Sequence, residues 1–154
     1  LASIFGQTET SPLYKTLVYD KKLALYAYSF AGLPGSKYEN LFSIILAPNS
    51  GVDVDECINE VDSILNNFLL EGIAEKELVS YRKSSKKRYL SSLDTGIYLP
   101  IQIGVTQMLT GNYQDFFTTL DEIDSLTTTD IVRVASQYLT STNRTVGILQ
   151  KGGK

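Results

Sequence analysis

The stretch Ser11–Phe30, SPLYKTLVYDKKLALYAYSF, decides the fold because its hydrophobic periodicity changes partway along. In its first half Leu13 and Leu17 stand at helical spacing, and Pro12 occupies a position where a helix can start. Its second half, Leu23–Phe30, is apolar and rich in aromatic residues, which predicts a strand. A helix is therefore expected to run almost without a loop into a buried strand.

The segments that follow extend this pattern into an α+β chain. Leu41 to Ala47 is a second apolar run after a turn rich in Gly and Pro, which predicts a hairpin with a long loop. Further helices are predicted at 54–68, 74–93, 95–109, 113–123 and from 128 to 139, and a final strand at Val146–Leu149. Strands early and late with helices between them predict an antiparallel or mixed sheet covered on one face by helices.

Length and composition indicate the organisation of the chain. We expect residues 1–150 to form a single domain and residues 151–154 a disordered tail. Leu1–Gln7 has the character of a helix already under way, so we expect the true start of the chain to lie upstream of Leu1. The hydrophobic content of 43% is typical of a soluble globular protein. No apolar run is long enough to span a bilayer, so we expect no membrane partner. The net charge of −3 gives no reason to expect a nucleic-acid partner.

The sequence contains no histidine. Ser-His-Asp and Cys-His catalytic arrangements are therefore excluded, as are the common catalytic zinc sites, which use imidazole ligands. Cys57 is the single cysteine and cannot form an intrachain disulfide. We therefore predict no catalytic residue and no metal ligand in this chain.

Two charged groups have competing interpretations. The cluster Arg82, Lys83, Lys86, Lys87 and Arg88 could bind an anionic partner or form a solvated helix face, and the acidic balance of the chain favours the solvated face. Asp53 and Asp55 lack the remaining spacing of a calcium loop and are expected to cap a helix.

Two separate segments of the chain carry family-type motifs. In the segment that leads into the first strand, the motif positions are Ser11, Leu13, Tyr14, Leu17, Lys21, Leu23 and Ala24. Near the C-terminus they are Ile123, Asp124, Leu126, Thr127, Asp130, Ile131, Val134, Ala135, Tyr138, Leu139, Asn143 and Arg144. Both motifs, in this order, resemble the pitrilysin/insulinase-type zinc metallopeptidase family, and the resemblance covers nearly the whole chain.

The resemblance is to the non-catalytic, C-terminal type of domain. Such domains usually have a strand before their first helix, so the resemblance implies that the first strand of this domain lies upstream of Leu1. It implies that this chain binds no cofactor, while zinc and the His-x-x-Glu-His motif lie in the parent's catalytic half. The expected partners are that catalytic half and a peptide substrate, which the two halves enclose in a chamber. An alternative is a scaffold or partner subunit of an inactive peptidase homologue.

The resemblance also bears on substrate-binding residues. Many such domains carry an Arg and a Tyr, seven residues apart, that hold the substrate backbone. The corresponding positions here are Val18 and Leu25, whose side chains cannot donate a hydrogen bond. The remaining surface candidates are Tyr26 and Tyr28, which share one face of the strand. The alternative is that these tyrosines bind no substrate. In that case one face of the strand packs under the helices, and the tyrosine hydroxyls reach water at an edge.

Overall fold

The computed structural model describes residues 1–94 and 96–149. Its strands are β1 (Ala24–Leu33) and β2 (Leu41–Pro48). Its helices are α1 (Ala2–Gly6), α2 (Pro12–Tyr14, continued by a π-helical segment at Lys15–Asp20), α3 (Val54–Glu71), α4 (Glu75–Leu93), α5 (Tyr98–Thr110), α6 (Asp115–Ser125) and α7 (Thr128–Tyr138). The predicted α+β class is confirmed.

The junction between the π-helical continuation of α2 and β1 is as short as the sequence predicts. The helix widens before it ends, since the amide of Lys21 donates to the carbonyl of Thr16 at 3.0 Å, a π-type hydrogen bond. Lys22 then adopts a φ of 54°, in the left-handed region that non-glycine residues seldom occupy. The amide of Leu23 bonds the carbonyl of Leu17 at 2.8 Å, so the chain reverses within three residues.

The two strands pair antiparallel, with Ala27 opposite Leu46 and Tyr28 opposite Ile45. The inner face of β1 is buried at Ala27 and Ser29. Simple alternation along the strand would place Leu25 with Ala27 and Ser29, but its side chain is 64% exposed. The register shifts between Ala24 and Tyr26, so this irregularity turns Leu25 out of the inward-facing series.

The main core lies between the inner sheet face and three helical elements. Phe5 is fully buried and packs edge-on against Phe68 and Phe42, with ring centroids 4.8 and 6.0 Å away. The other buried members of this cluster are Leu13, Leu17, Leu23, Ala24, Ala27, Cys57, Val61 and Ile64. These residues include the central part of the apolar stripe predicted for α3 and the helical leucines of the opening motif.

Helix ends follow the expected chemistry. Asp53 accepts a hydrogen bond from the amide of Asp55 at 3.1 Å and so caps α3, and Gly72 ends that helix with a φ of 72°. Thr127 and Asp130 form a reciprocal capping box at the start of α7. The calcium-loop interpretation of the Asp53 region is thus replaced by a helix cap.

A second, smaller cluster joins α1 to the later helices. Ile4, Ile73, Leu78 and Ile131 are buried together, which fixes α4 and α7 beside the main core. The hydroxyl of Tyr81 donates to the carbonyl of Ile4 at 3.3 Å across the same contact.

The C-terminal region departs from the expectation. Within the described part of the chain Val146–Leu149 has no partner strand and belongs to no sheet, so the predicted final strand is not formed. Arg144, just before it, forms an ion pair with Asp62 of α3. Thr95 and the predicted tail at 151–154 lie outside the described residues.

Candidate functional site

The outer face of the sheet carries a row of three aromatic rings along β1. The ring centroids of Tyr26 and Tyr28 are 5.9 Å apart, and those of Tyr28 and Phe30 are also 5.9 Å apart. Tyr26 and Tyr28 are 46% and 43% exposed, and Ile45 lies opposite Tyr28 on β2. Strand alternation places these rings on one side, while the adjacent Ala27 and Ser29 face the core. The row is therefore an uncovered aromatic surface on a rigid strand.

An open groove of about 630 Å³ adjoins this row. Its lining comes from the end of α1, from β1 and from α4, and comprises Gly6, Gln7, Thr8, Tyr28, Ser29, Phe30, Ser84 and Arg88. Among the described residues β1 is hydrogen-bonded to β2 and to no other strand, and α1 packs against it at Ser29. Exposed aromatic rings along a strand are suited to an extended peptide, whose side chains can contact the rings.

Gly6 determines how closely α1 approaches this strand. A Cβ atom at Gly6 would lie 2.5 Å from the backbone nitrogen of Ser29 and 2.9 Å from the carbonyl carbon of Tyr28. The Ser29 hydroxyl donates to the carbonyl of Ala2 at 2.8 Å, which holds the helix and the strand together. Because Gly6 has no side chain, α1 packs directly against β1 at the bottom of the groove.

The two positions that the resemblance relates to substrate binding differ in how far their side chains are exposed. Val18 is half-buried and packs against the main core, whereas Leu25 is exposed. Neither side chain carries a polar atom, so neither can hold a peptide backbone by a hydrogen bond. The sequence predicted Tyr26 and Tyr28 as surface candidates. It missed Phe30, although the same alternation points to it.

The basic cluster on α4 is largely engaged by neighbouring elements. Lys86 forms an ion pair with Asp124, and Arg88 donates to the side-chain oxygen of Gln7. Arg82 donates to the carbonyl of Leu126, with its Nε atom at 3.1 Å. These partners attach α4 to the loop before α7 and to α1, so most of the cluster serves the fold and Lys83 and Lys87 remain exposed.

We expect Arg82→Ala to lower the free energy of unfolding by about 1 kcal/mol, because the hydrogen bonds to Leu126 are partly exposed charge-assisted bonds. Lys83→Ala, on the exposed side of the same helix, is the control and should change stability by less than about 0.5 kcal/mol. Urea denaturation followed by circular dichroism measures both. Equal effects of the two substitutions would contradict the structural role of Arg82.

No group of three or more potential metal-ligating side chains occurs within 1–94 and 96–149. Cys57 is buried, and its Sγ atom lies 3.6 Å from the carbonyl oxygen of Leu23. Burial, and secondarily the carboxylates of Glu56 and Asp53, raise the pKa of this thiol. A buried thiol with a raised pKa is a poor nucleophile, so Cys57 belongs to the core.

The helices described by the structure include none with the length and apolar character needed to cross a membrane.

The sequence and the fold both match known proteins. A family model described as the peptidase M16 inactive domain matches residues 1–85. No curated protein matches the chain significantly.

Solved structures share the fold at low sequence identity. A protease from Helicobacter pylori is 22% identical with a TM-score of 0.82, and the match covers 92% of this chain and 34% of that one. The inactive peptidase domain of a candidate zinc protease from Bordetella parapertussis is also 22% identical, with a TM-score of 0.82, covering 95% and 78%. A peptidase M16 inactive domain from Pseudomonas fluorescens is 16% identical with a TM-score of 0.74, covering 88% and 32%. The chain therefore spans about a third of the length of the Helicobacter protein.

Proposed function

Because the chain belongs to the peptidase M16 inactive-domain family, we propose that it forms part of the wall of a peptide-enclosing chamber. Zinc and the catalytic residues of that chamber lie in another domain or subunit, since this chain has no histidine. The chain is a non-catalytic metallopeptidase domain, and its partners on this proposal are a catalytic half and a peptide.

The observation that supports this proposal is the exposed aromatic row on β1. Tyr26, Tyr28 and Phe30 present flat apolar faces, and two of them also carry a hydroxyl. Aromatic side chains of this kind contact many different peptide side chains without demanding one sequence. A wall with these properties holds an extended chain near a catalytic centre supplied from outside.

Metal analysis of the purified 154-residue chain tests whether zinc and the catalytic residues lie outside this chain. We expect no stoichiometric zinc and no peptidase activity that a chelator abolishes, because the residues that hold zinc in such peptidases are absent here. One zinc per chain, or chelator-sensitive cleavage of casein, would overturn the proposal.

The double substitution Tyr26→Ser and Tyr28→Ser tests the peptide contact. We expect it to weaken binding of fluorescein-labelled unfolded casein about tenfold, since two exposed aromatic contacts are removed. Fluorescence anisotropy measures the affinity. Stability should change little because both side chains are substantially exposed.

Tyr38→Ser is the matched control for this experiment. Tyr38 is 78% exposed in the loop between β1 and β2, away from the row, and its removal should leave the affinity unchanged. Failure of the unsubstituted chain to bind casein, or equal binding by the double variant, would contradict the role of the row.

A second candidate function is that of a scaffold or partner subunit of an inactive peptidase homologue. Val18 and Leu25 favour it, because they replace the polar pair that holds substrate in many related domains. The coding sequence upstream of Leu1 and the neighbouring gene distinguish the two functions. A His-x-x-Glu-His motif with a later Glu there supports the chamber wall, and a homologous half without those ligands supports the scaffold.

A further inference from the structure

The groove beside β1 has a single charged side chain in its lining. Among the described residues that line it, Arg88 of α4 alone carries a charge, and Tyr28 and Phe30 of the aromatic row border the same space. Arg82 and Lys86, on the same helix, pair with carboxylates, whereas Arg88 forms no ion pair within the described residues. The groove therefore combines aromatic rings with one cation whose charge is not compensated.

Arg88 is held in place by a neutral group. Its side chain is exposed, and its Nη1 atom donates to the side-chain oxygen of Gln7 at the end of α1. The hydroxyl of Ser3 donates to the same oxygen at 2.9 Å, which fixes the Gln7 amide. An amide oxygen orients a guanidinium group without cancelling its charge, and several N–H donors of that group remain for a ligand.

This arrangement discriminates between possible occupants of the groove. A wholly apolar occupant would cover the Arg88 guanidinium without giving it an acceptor, which costs free energy, and a cationic one would be repelled. A carboxylate can accept two parallel N–H bonds from a guanidinium group. The net charge of the chain is −3, so its overall field does not attract acidic ligands, and any preference for them must come from this local contact.

The size of the groove determines how close the two kinds of contact must be. Its volume of about 630 Å³ is within the range of roughly 300–1,000 Å³ that is usual for ligand sites, so it can hold a short peptide segment. An acidic side chain that reaches Arg88 must then stand within a few residues of the side chains that contact Tyr28 and Phe30.

We propose that the groove selects peptide segments in which an acidic side chain stands beside aromatic or large apolar residues, and that Arg88 determines this preference. The inference rests on the proposed function, since it names the class of peptide that the aromatic row holds. The carboxylate pairs with Arg88, while the neighbouring side chains contact Tyr28 and Phe30. A peptide with an amide in place of the carboxylate keeps the ring contacts and loses the ion pair.

Three synthetic peptides test the preference. Each is short, has blocked ends, and carries serines and phenylalanines around a central residue that is Glu, Gln or Lys. Their ability to displace fluorescein-labelled casein from the 154-residue chain is measured by fluorescence anisotropy. We expect the Glu peptide to displace casein at a concentration about fivefold lower than the Gln peptide, and the Lys peptide to be weaker than both, because an exposed ion pair contributes modestly.

Three variants locate the source of the preference. Arg88→Gln should bring the Glu and Gln peptides to equal strength, whatever its effect on binding as a whole. Lys83→Gln is the matched control, because it removes the same charge from an exposed position of α4 that does not line the groove, and it should keep the preference. Gln7→Ala removes the bond between α1 and α4 but leaves the guanidinium, so it should keep the preference too. Circular dichroism checks that all three fold, as expected for exposed side chains.

The outcomes separate this inference from the proposed function. Equal displacement by the three peptides, or a preference that survives in Arg88→Gln, overturns the inference and leaves peptide binding by the row intact. A preference that also disappears in Lys83→Gln assigns it to net charge and likewise overturns the role of Arg88. If neither casein nor any of the peptides binds the unsubstituted chain, the inference and the proposed function both fail.

Discussion

Replacing Phe5 by Ala is expected to lower the free energy of unfolding by about 3–5 kcal/mol, the largest single effect in this chain. Phe5 is fully buried and touches Phe42 from the second strand and Phe68 from α3, with both rings edge-on. Truncation removes the apolar surface of the ring and also leaves a cavity where three elements meet. Domains of this size have a total stability of about 5–15 kcal/mol, so the variant is marginal.

Urea denaturation measured by circular dichroism determines this effect, and Phe5→Leu keeps the test informative if the alanine variant does not fold. The leucine variant should lose less, about 1–2 kcal/mol, because it fills most of the cavity. Phe117→Ala is the control, since Phe117 is 60% exposed and contacts the ring of Phe116. It should lose about 1 kcal/mol at most. Equal losses at Phe5 and Phe117 would show that Phe5 does not occupy the core position described above.

Replacing Gly6 by Val is expected to lower stability by about 2–3 kcal/mol, with Gly6→Ala somewhat less severe. The new Cβ would come within 2.5 Å of a backbone nitrogen of β1, and a backbone atom cannot rotate aside as a side chain can. Helix α1 must therefore move away from the strand, which breaks its packing beside Ser29. The same movement changes the floor of the groove and should weaken casein binding.

Gly104→Ala is the matched control for this prediction. Gly104 lies within α5 with open space around the new methyl group, so alanine should increase stability by about 0.5–1 kcal/mol through its helix propensity. Both variants are compared with the unsubstituted chain by thermal unfolding at the same protein concentration. A stable Gly6→Val chain that binds casein normally would contradict the close approach of α1 to β1.

Local patterns were sufficient to predict the architecture around Ser11–Phe30. The change of period located the helix, the short junction and the hairpin, because helical and strand spacing differ and both were present in one stretch. The apolar stripe of α3 was equally clear, since its buried residues Cys57, Val61 and Ile64 recur at helical intervals. These features depend on residues close together in the chain.

Features that depend on distant contacts or on backbone geometry were not predictable. The π-helical widening before Lys21 depends on which carbonyl an amide selects, and no residue type dictates that choice. The register shift at Leu25 depends on how β2 pairs, so alternation along β1 alone does not show that Leu25 is exposed. Val146–Leu149 has the composition of a strand, but a strand forms only where a partner edge is available.

The candidate site was also predictable only where it depends on local sequence patterns. Tyr26 and Tyr28 followed from alternation along one strand, but Gly6 and Arg88 reach the groove only through tertiary contacts. From the sequence alone, Gly6 is simply one residue of the short helical segment Leu1–Gln7. In the structure Gly6 matters because it lets α1 lie close to β1. This contact joins distant parts of the chain, so a local sequence pattern does not predict it.

The single thiol of the chain makes its opening motions directly observable. Cys57 lies between the sheet and α3, so a labelling reagent such as a disulfide-exchange dye reaches it only when those two layers separate. The labelling rate at increasing urea therefore reports how often this interface opens, and no residue has to be introduced for the purpose. Because the sequence has no second cysteine, every modified chain records the same event at the same place.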